Sequence, residues 1–114
     1  MNSSISLTKK TCQPCEGGME PLAPEIAQAL VAQVHNWEIN EDGTTITRRF
    51  EFKGFYKTMA FINAMAWVAN QENHHPDFSA GYNYVNVSFT THAIGGLSEN
   101  DFICAAKLDA LLSE

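Results

Sequence analysis

Four histidines stand in the chain: His35, His74, His75 and His92. Two of them are adjacent, and Pro76 follows at once. Proline lacks a backbone N–H and disfavours helical geometry at the residue before it, so His74 and His75 belong to a corner between elements. At such a corner one ring can face a cleft while the other bridges its rim. An imidazole, with an ordinary pKa of about 6.5, can give or take a proton near neutral pH, which suits general acid–base work. Three imidazoles could also hold zinc with an open fourth position. The adjacent pair does not have the H-E-x-x-H helical spacing of zinc peptidases. His35, two residues before Trp37, reads as an ordinary surface histidine. Cys12 and Cys15 form one C-x-x-C with Cys104 far away in sequence. That is half of a four-ligand zinc site, and three cysteines do not suggest a disulfide framework.

The elements that must position these groups can be read from periodicity. Residues 1–20 show none and read as a flexible N-terminal arm, leaving 21–114 as a single domain. Pro24 suits the first turn of a helix whose apolar row is Ile26, Leu30 and Val34, with Ala27 and Val31 beside it. A short strand from Trp37 turns at Glu41-Asp42-Gly43 into a second strand, Thr44 to Phe52. Ile46, Phe50 and Phe52 face the core there, and Arg48 shares their parity, so it must snorkel or pair. A helix from about Tyr56 to Gln71 carries two apolar stripes, Met59-Ile62-Ala66-Ala69 and Phe61-Met65-Val68, and so reads as the central core helix. A short strand near Asp77 to Ala80 and a longer one from Tyr82 to about Thr91 follow, with Val85, Val87 and Phe89 inward. His92 falls at the far end of the longer strand, where an antiparallel return brings it near the histidine corner. On strict alternation it would point away from the core face unless a bulge resets the parity. Ser98 then caps a last helix with Asp101 at its third position, and Phe102, Ala105, Leu108 and Leu112 face inward. The expected fold is α+β, two-layered, with a four-stranded antiparallel sheet and helices on one face, in the order α-β-β-α-β-β-α.

The bulk numbers agree with one globular domain. The chain has 114 residues, 45% of them hydrophobic and 18% charged. Seven basic against thirteen acidic residues leave a net charge of −6, which disfavours direct contact with nucleic acid. No apolar run approaches the ~20 residues of a membrane span, and the polar N-terminus lacks the apolar stretch of a secretory signal. A cytoplasmic protein is expected.

Four segments together resemble one family. They are Glu72-Asn73-His74-His75-Pro76, Tyr84-Val85-Asn86-Val87, Thr91-His92, and Gly96-Leu97-Ser98-Glu99-Asn100-Asp101. This is similar to the pattern E-x-x-x-H-H-P, V-x-V, T-H and G-L-S/T-x-x-D of the pterin-4a-carbinolamine dehydratases, over a stretch from about Pro24 to Leu112. The histidine motif alone would be weak; the combination is specific. Asn70 stands where the family usually has an acidic residue, and Asn73 where some members have Asp.

The resemblance implies an enzyme that eliminates water from a 4a-hydroxytetrahydropterin, giving the quinonoid dihydropterin. This recycles the pterin of aromatic amino-acid hydroxylases. One group must protonate the departing hydroxyl and another must accept the N5 proton, with no metal or redox cofactor. It implies His74 and His92 as the acid–base pair and His75 as the ring that holds the pterin and shares proton traffic. Asp101 would orient a histidine or a pterin nitrogen, and Phe78 would form a pocket wall. Glu72, Asn73, Pro76 and Thr91 would complete the substrate site. The same resemblance implies homodimers, some pairing into tetramers. Two other functions stay open: a non-enzymatic dimerisation cofactor of a transcription factor, and a metal-dependent hydrolase built on the three histidines.

Overall fold

A computed structural model describes residues 6–15 and 17–112. Residues 1–5 and 16 of the expected arm, and 113 and 114 of the domain, lie outside the described residues. The elements in order are α1 (Pro24–Val31), β1 (Glu38–Ile39), β2 (Ile46–Glu51), α2 (Phe55–Glu72), β3 (Asp77–Ala80), β4 (Tyr84–Phe89) and α3 (Glu99–Ala110). Short 3-10 turns cover Leu7–Lys9 and His92–Ile94. The four strands form one antiparallel sheet in the order β1-β2-β4-β3. This is the expected two-layer α+β architecture.

Alternation builds the sheet's buried face. Ile46 lies opposite Phe89 and Phe50 opposite Val85. These four and Val87 are buried against the helices. Thr47, Arg49 and Asn86, of opposite parity, are exposed. The β1–β2 turn closes at Gly43, whose φ of 74° is a left-handed conformation that glycine adopts without a Cβ clash. The Asn40 carboxamide oxygen accepts the N–H groups of Thr44 (2.9 Å) and Thr45 (3.1 Å) across that turn. Arg48 resolves its parity conflict by pairing. Its guanidinium donates to Asp109 at 2.6 Å and lies 4.2 Å over the Phe50 ring. Asp109 also accepts Trp37 Nε1–H at 2.8 Å and the His35 N–H at 2.9 Å, tying the end of α3 to the start of β1.

Three expectations about helix faces need correction. The central core helix is α3, where Asn100 through Ala106 are all buried, and α2 lies to one side. The reason is placement: α3 is packed between α2, α1 and the N-terminal segment, so it has neighbours on several sides. On α2 only Thr58, Phe61 and Met65 are buried, while Trp67 on the other side is 63% exposed. On α1, Ile26 of the expected row is 51% exposed, whereas Ala27 beside it and Val34 just past the helix are buried and Leu30 packs partly buried against the core. Leu112, expected inward, is also exposed beyond the end of α3.

The segment expected as an arm has its described part laid along α3. Leu7 is buried, Lys10 pairs with Glu99 at 2.6 Å, and Cys12 Sγ lies 3.6 Å from Cys104 Sγ. Further on, Leu22 N–H donates to Leu97 O at 2.9 Å, and Pro21 sits so close to Gly96 that a Cβ there would come within 2.8 Å of it.

Candidate active site

The C-terminus of α2 sets the histidine corner. Asn73 has a φ of 54°, a left-handed conformation that Asn tolerates better than most side chains. Its N–H donates to Asn70 O (3.4 Å) and the N–H of His74 reaches back to Ala69 O (3.1 Å), the two bonds of a Schellman cap. Asn73 is therefore the residue that turns the chain out of the helix, and His74 is the first residue beyond it. The His74 ring stacks on Phe89, with centroids 5.9 Å apart and planes inclined by 10°.

Behind His74 stands Asp101, which is 0% exposed. Its Oδ1 lies 2.7 Å from His74 Nε2. Its Oδ2 accepts the Ser98 N–H at 3.0 Å and the Thr91 hydroxyl at 2.8 Å. The Ser98 bond is the return half of a capping box at the start of α3, so one carboxylate both starts the helix and orients the histidine. A carboxylate in its ionised form only accepts, so a neutral His74 ring beside it holds its proton on Nε2 and leaves Nδ1 as the acceptor. That is the arrangement of a base oriented by a buried acid.

His92 is reached by a different route from the strand register. The β4 strand ends at Phe89, and Thr91 and Gly96 then pair through Thr91 N–H to Gly96 O (2.9 Å) and its return bond (3.4 Å). Between them the chain makes the His92–Ile94 turn. His92 thus lies on a small loop outside the pleat, and strand parity does not govern its direction. His75 is exposed, and its Nδ1 lies 3.2 Å from Pro76 O.

A cleft of about 320 Å³ is lined by His74, His75 and His92 together with Asn73, Thr90 and Thr91. Gln13, Pro14, Cys15, Ala93 and Asn100 complete the lining. Of the expected site residues, the three histidines, Asn73 and Thr91 meet here, and Asp101, outside the lining, bonds to His74 and Thr91. Glu72, Pro76 and Phe78 do not line it. Phe78 sits on the edge strand β3 and borders a separate, larger depression with Arg48, Arg49 and Asp77. Glu72 accepts the Cys12 N–H at 2.8 Å and pairs with Lys107 at 3.1 Å. Burial alone would raise its pKa; the Cys12 N–H and the Lys107 ammonium outweigh this and hold the carboxyl below its usual range. Among the described residues no three His, Cys, Asp or Glu side chains converge to hold a metal ion.

The Pterin 4 alpha carbinolamine dehydratase family model matches residues 20–111, nearly all of the domain that carries this cleft. The chain belongs to the pterin-4a-carbinolamine dehydratase family. A relative from Nitrosospira multiformis, provisionally named as a pterin-4-alpha-carbinolamine dehydratase, is 56% identical over 97% of both chains. One from Nitrosomonas eutropha, with the same provisional name, is 54% identical over 98% of both. The crystal structure of a transcriptional coactivator/pterin dehydratase from Brucella melitensis superposes with a TM-score of 0.79 at 29% identity, covering 82% of this chain and all of that one. A pterin dehydratase-like protein described as a RuBisCO assembly factor in the alpha-carboxysome gives 0.62 at 28% identity, over 70% and 93%. No helix among the described residues is long and apolar enough to cross a membrane.

In the Asn100 and Gln13–Cys15 part of this dehydratase-family cleft, the one sequence signal is the C-x-x-C that ends at Cys15, which reads as half of a zinc site and not as part of a cleft. Asn100 lies inside the G-L-S-x-x-D motif, where any residue is allowed by the pattern. Residues 13–15 have no periodicity, and only the fold brings them to the cleft that His92 also lines.

Proposed function

We propose that the chain dehydrates a 4a-hydroxytetrahydropterin to the quinonoid dihydropterin in the histidine cleft. The observation that carries this reading is the meeting of His74, His75 and His92 on one cleft, with His74 backed by the buried Asp101. The reaction breaks the C4a–O bond and loses a proton from N5, so it needs a donor and an acceptor on the same substrate. His74 is assigned as the base: its Nδ1 takes the N5 proton, and the Asp101 carboxylate stabilises the imidazolium that results. His92, in its protonated form, gives the proton with which the 4a-hydroxyl leaves as water. His75, at the rim, holds the pterin and shares the proton traffic. The elimination is redox-neutral, and atoms balance between carbinolamine, water and quinonoid product. The test is dehydration of synthetic 4a-carbinolamine by the wild type and by His74→Ala, His75→Ala and His92→Ala. Single losses of about 10²–10⁴ in rate at His74 and His92 are expected. Wild-type rates in both would overturn the assignment.

A second reading, as a partner-binding protein, is favoured by the uncovered aromatic side of α2, where Tyr56 is 87% exposed. The solved relatives described as a transcriptional coactivator and as an assembly factor accord with it. A dehydratase assay and a pull-down on one preparation separate the two. We also propose at least a homodimer, since β3 is an edge strand with an unpaired side that a second sheet can continue. Monomers by light scattering at micromolar concentration would refute it.

A further inference from the structure

Residues 13–15 form a segment without secondary structure that lines the same cleft as the three histidines. Asn100, only 7% exposed, grips one residue of it at two points. Its Oδ1 accepts the Gln13 N–H at 2.9 Å, and its Nδ2 donates to the Gln13 carbonyl at 2.6 Å. The same Nδ2 lies 3.3 Å from Cys15 Sγ. A carboxamide is the side chain that can serve an N–H and a C=O of one residue at once, as a neighbouring strand would. Cys12 is held separately. Its N–H bonds to Glu72, and its Sγ touches Cys104 Sγ and the Asn100 carbonyl, each at 3.6 Å. Contact with Cys104, burial and the nearby Glu72 push the Cys12 thiol pKa far up, so it stays protonated and packs as an apolar group. Beyond residue 16, a Cβ at Gly17 would be in ordinary contact with the Ala93 carbonyl, 3.8 Å away. Gln13 thus touches the start of α3, and Gly17 the His92 turn.

We propose that residues 13–15 are a substrate-contacting wall of the pterin cleft and that Asn100 is the positioning residue that holds the wall in place. This rests on the dehydratase reading and adds to it a wall outside the histidine and G-L-S-x-x-D motifs, held by Asn100 at one of the free positions of the latter. The clamp works by preorganisation. A wall that is already fixed need not be ordered when the pterin binds, whereas a loosened wall lowers the fraction of molecules competent to bind. The chemistry at His74 and His92 does not pass through Asn100, so the loss falls on binding.

The experiment uses the full chain as wild type and Asn100→Ala, with carbinolamine turnover and with 7,8-dihydrobiopterin, which has no 4a-hydroxyl to lose, as binding probe. In Asn100→Ala, KM and the probe's Kd rise about tenfold while kcat stays within about threefold, the pattern of lost uniform binding. A second measurement needs no variant. N-ethylmaleimide labelling of wild-type Cys15, located by peptide mass mapping, slows about tenfold with the probe at ten times its Kd, because only the free fraction reacts. Unchanged KM in a folded Asn100→Ala, a loss confined to kcat, or labelling of Cys15 that the probe does not slow would each overturn the proposal and leave the dehydratase reading standing. A wild-type chain that neither turns over the carbinolamine nor binds the probe would overturn both.

Discussion

Replacing Asp101 by Asn tests the histidine–carboxylate pair with the least change of shape. The surroundings dictate which way the new carboxamide faces. Ser98 N–H and the Thr91 hydroxyl both donate to Oδ2, so the amide oxygen must take that place. The amide nitrogen then replaces Oδ1, 2.7 Å from His74 Nε2. A nitrogen there donates, so Nε2 must accept, and the neutral ring's proton moves to Nδ1. The atom assigned to receive the N5 proton becomes a donor. The variant also loses the charge that stabilises the imidazolium. One charge-assisted hydrogen bond is worth about 1.5–3 kcal/mol, which at 1.36 kcal/mol per decade gives a fall in kcat of roughly 10- to 150-fold, before any further loss from the tautomer change. The carboxylate's interaction with the start of α3 adds a stability loss of about 0.3–1 kcal/mol. Stopped-flow dehydration of the carbinolamine gives kcat, and long-range ¹H–¹⁵N spectra of the imidazole report the tautomer. A folded Asp101→Asn with kcat within about threefold of wild type, or with the proton still on Nε2, would refute the reasoning.

Three other outcomes are expected. At Asn73, Asn73→Gly keeps the left-handed cap at no loss of Tm, whereas Asn73→Val costs about 1–2 kcal/mol in chemical denaturation, since a β-branched side chain is strained at a φ of 54°. Glu72 has a folded-state pKa below its unfolded one, so its stabilisation is complete above the unfolded value of about 4.3 and is lost as pH falls through the folded one. The urea midpoint of Glu72→Gln should therefore lie below that of wild type at pH 7, with the gap closing in acid. At the Arg48–Asp109 pair, Asp109→Ala leaves Arg48 buried without its partner and should cost about 3–5 kcal/mol by urea denaturation. Arg48→Met removes the buried cation and leaves Asp109 its bonds to Trp37 and His35, so its loss is smaller.

Much of the site was legible because local rules govern it. Pro76 announced the corner, and the Ser98-x-x-Asp101 spacing announced the start of α3. Asn73 was legible only in part. Compared with the family pattern, it looked like a missing acid; in three dimensions it is the left-handed cap that delivers His74. Glu72 was misplaced for a similar reason. Next to the histidines in sequence, it turns the other way on the helix, toward Cys12 and Lys107. Phe78, on the edge strand, belongs to a different depression. His92 looked compromised by strand parity, and the turn between Thr91 and Gly96 removes it from the strand altogether.

By itself the sequence determined the order of elements, the two-layer α+β fold and the histidine corner. Hydrophobic periods of two and 3.6, turn residues and caps act over a few residues and are written where they act. The tertiary structure decided which stripe of α2 is covered, why α3 is the central helix, how Asp101 backs His74, and that Gln13–Cys15 line the cleft. Each of these depends on which surfaces meet. An amphipathic helix records that it has an apolar side, but it does not record its neighbour. The contact from Asp101 to His74 spans 27 positions and that from Asn100 to Gln13 spans 87, distances over which only the packed chain brings groups together.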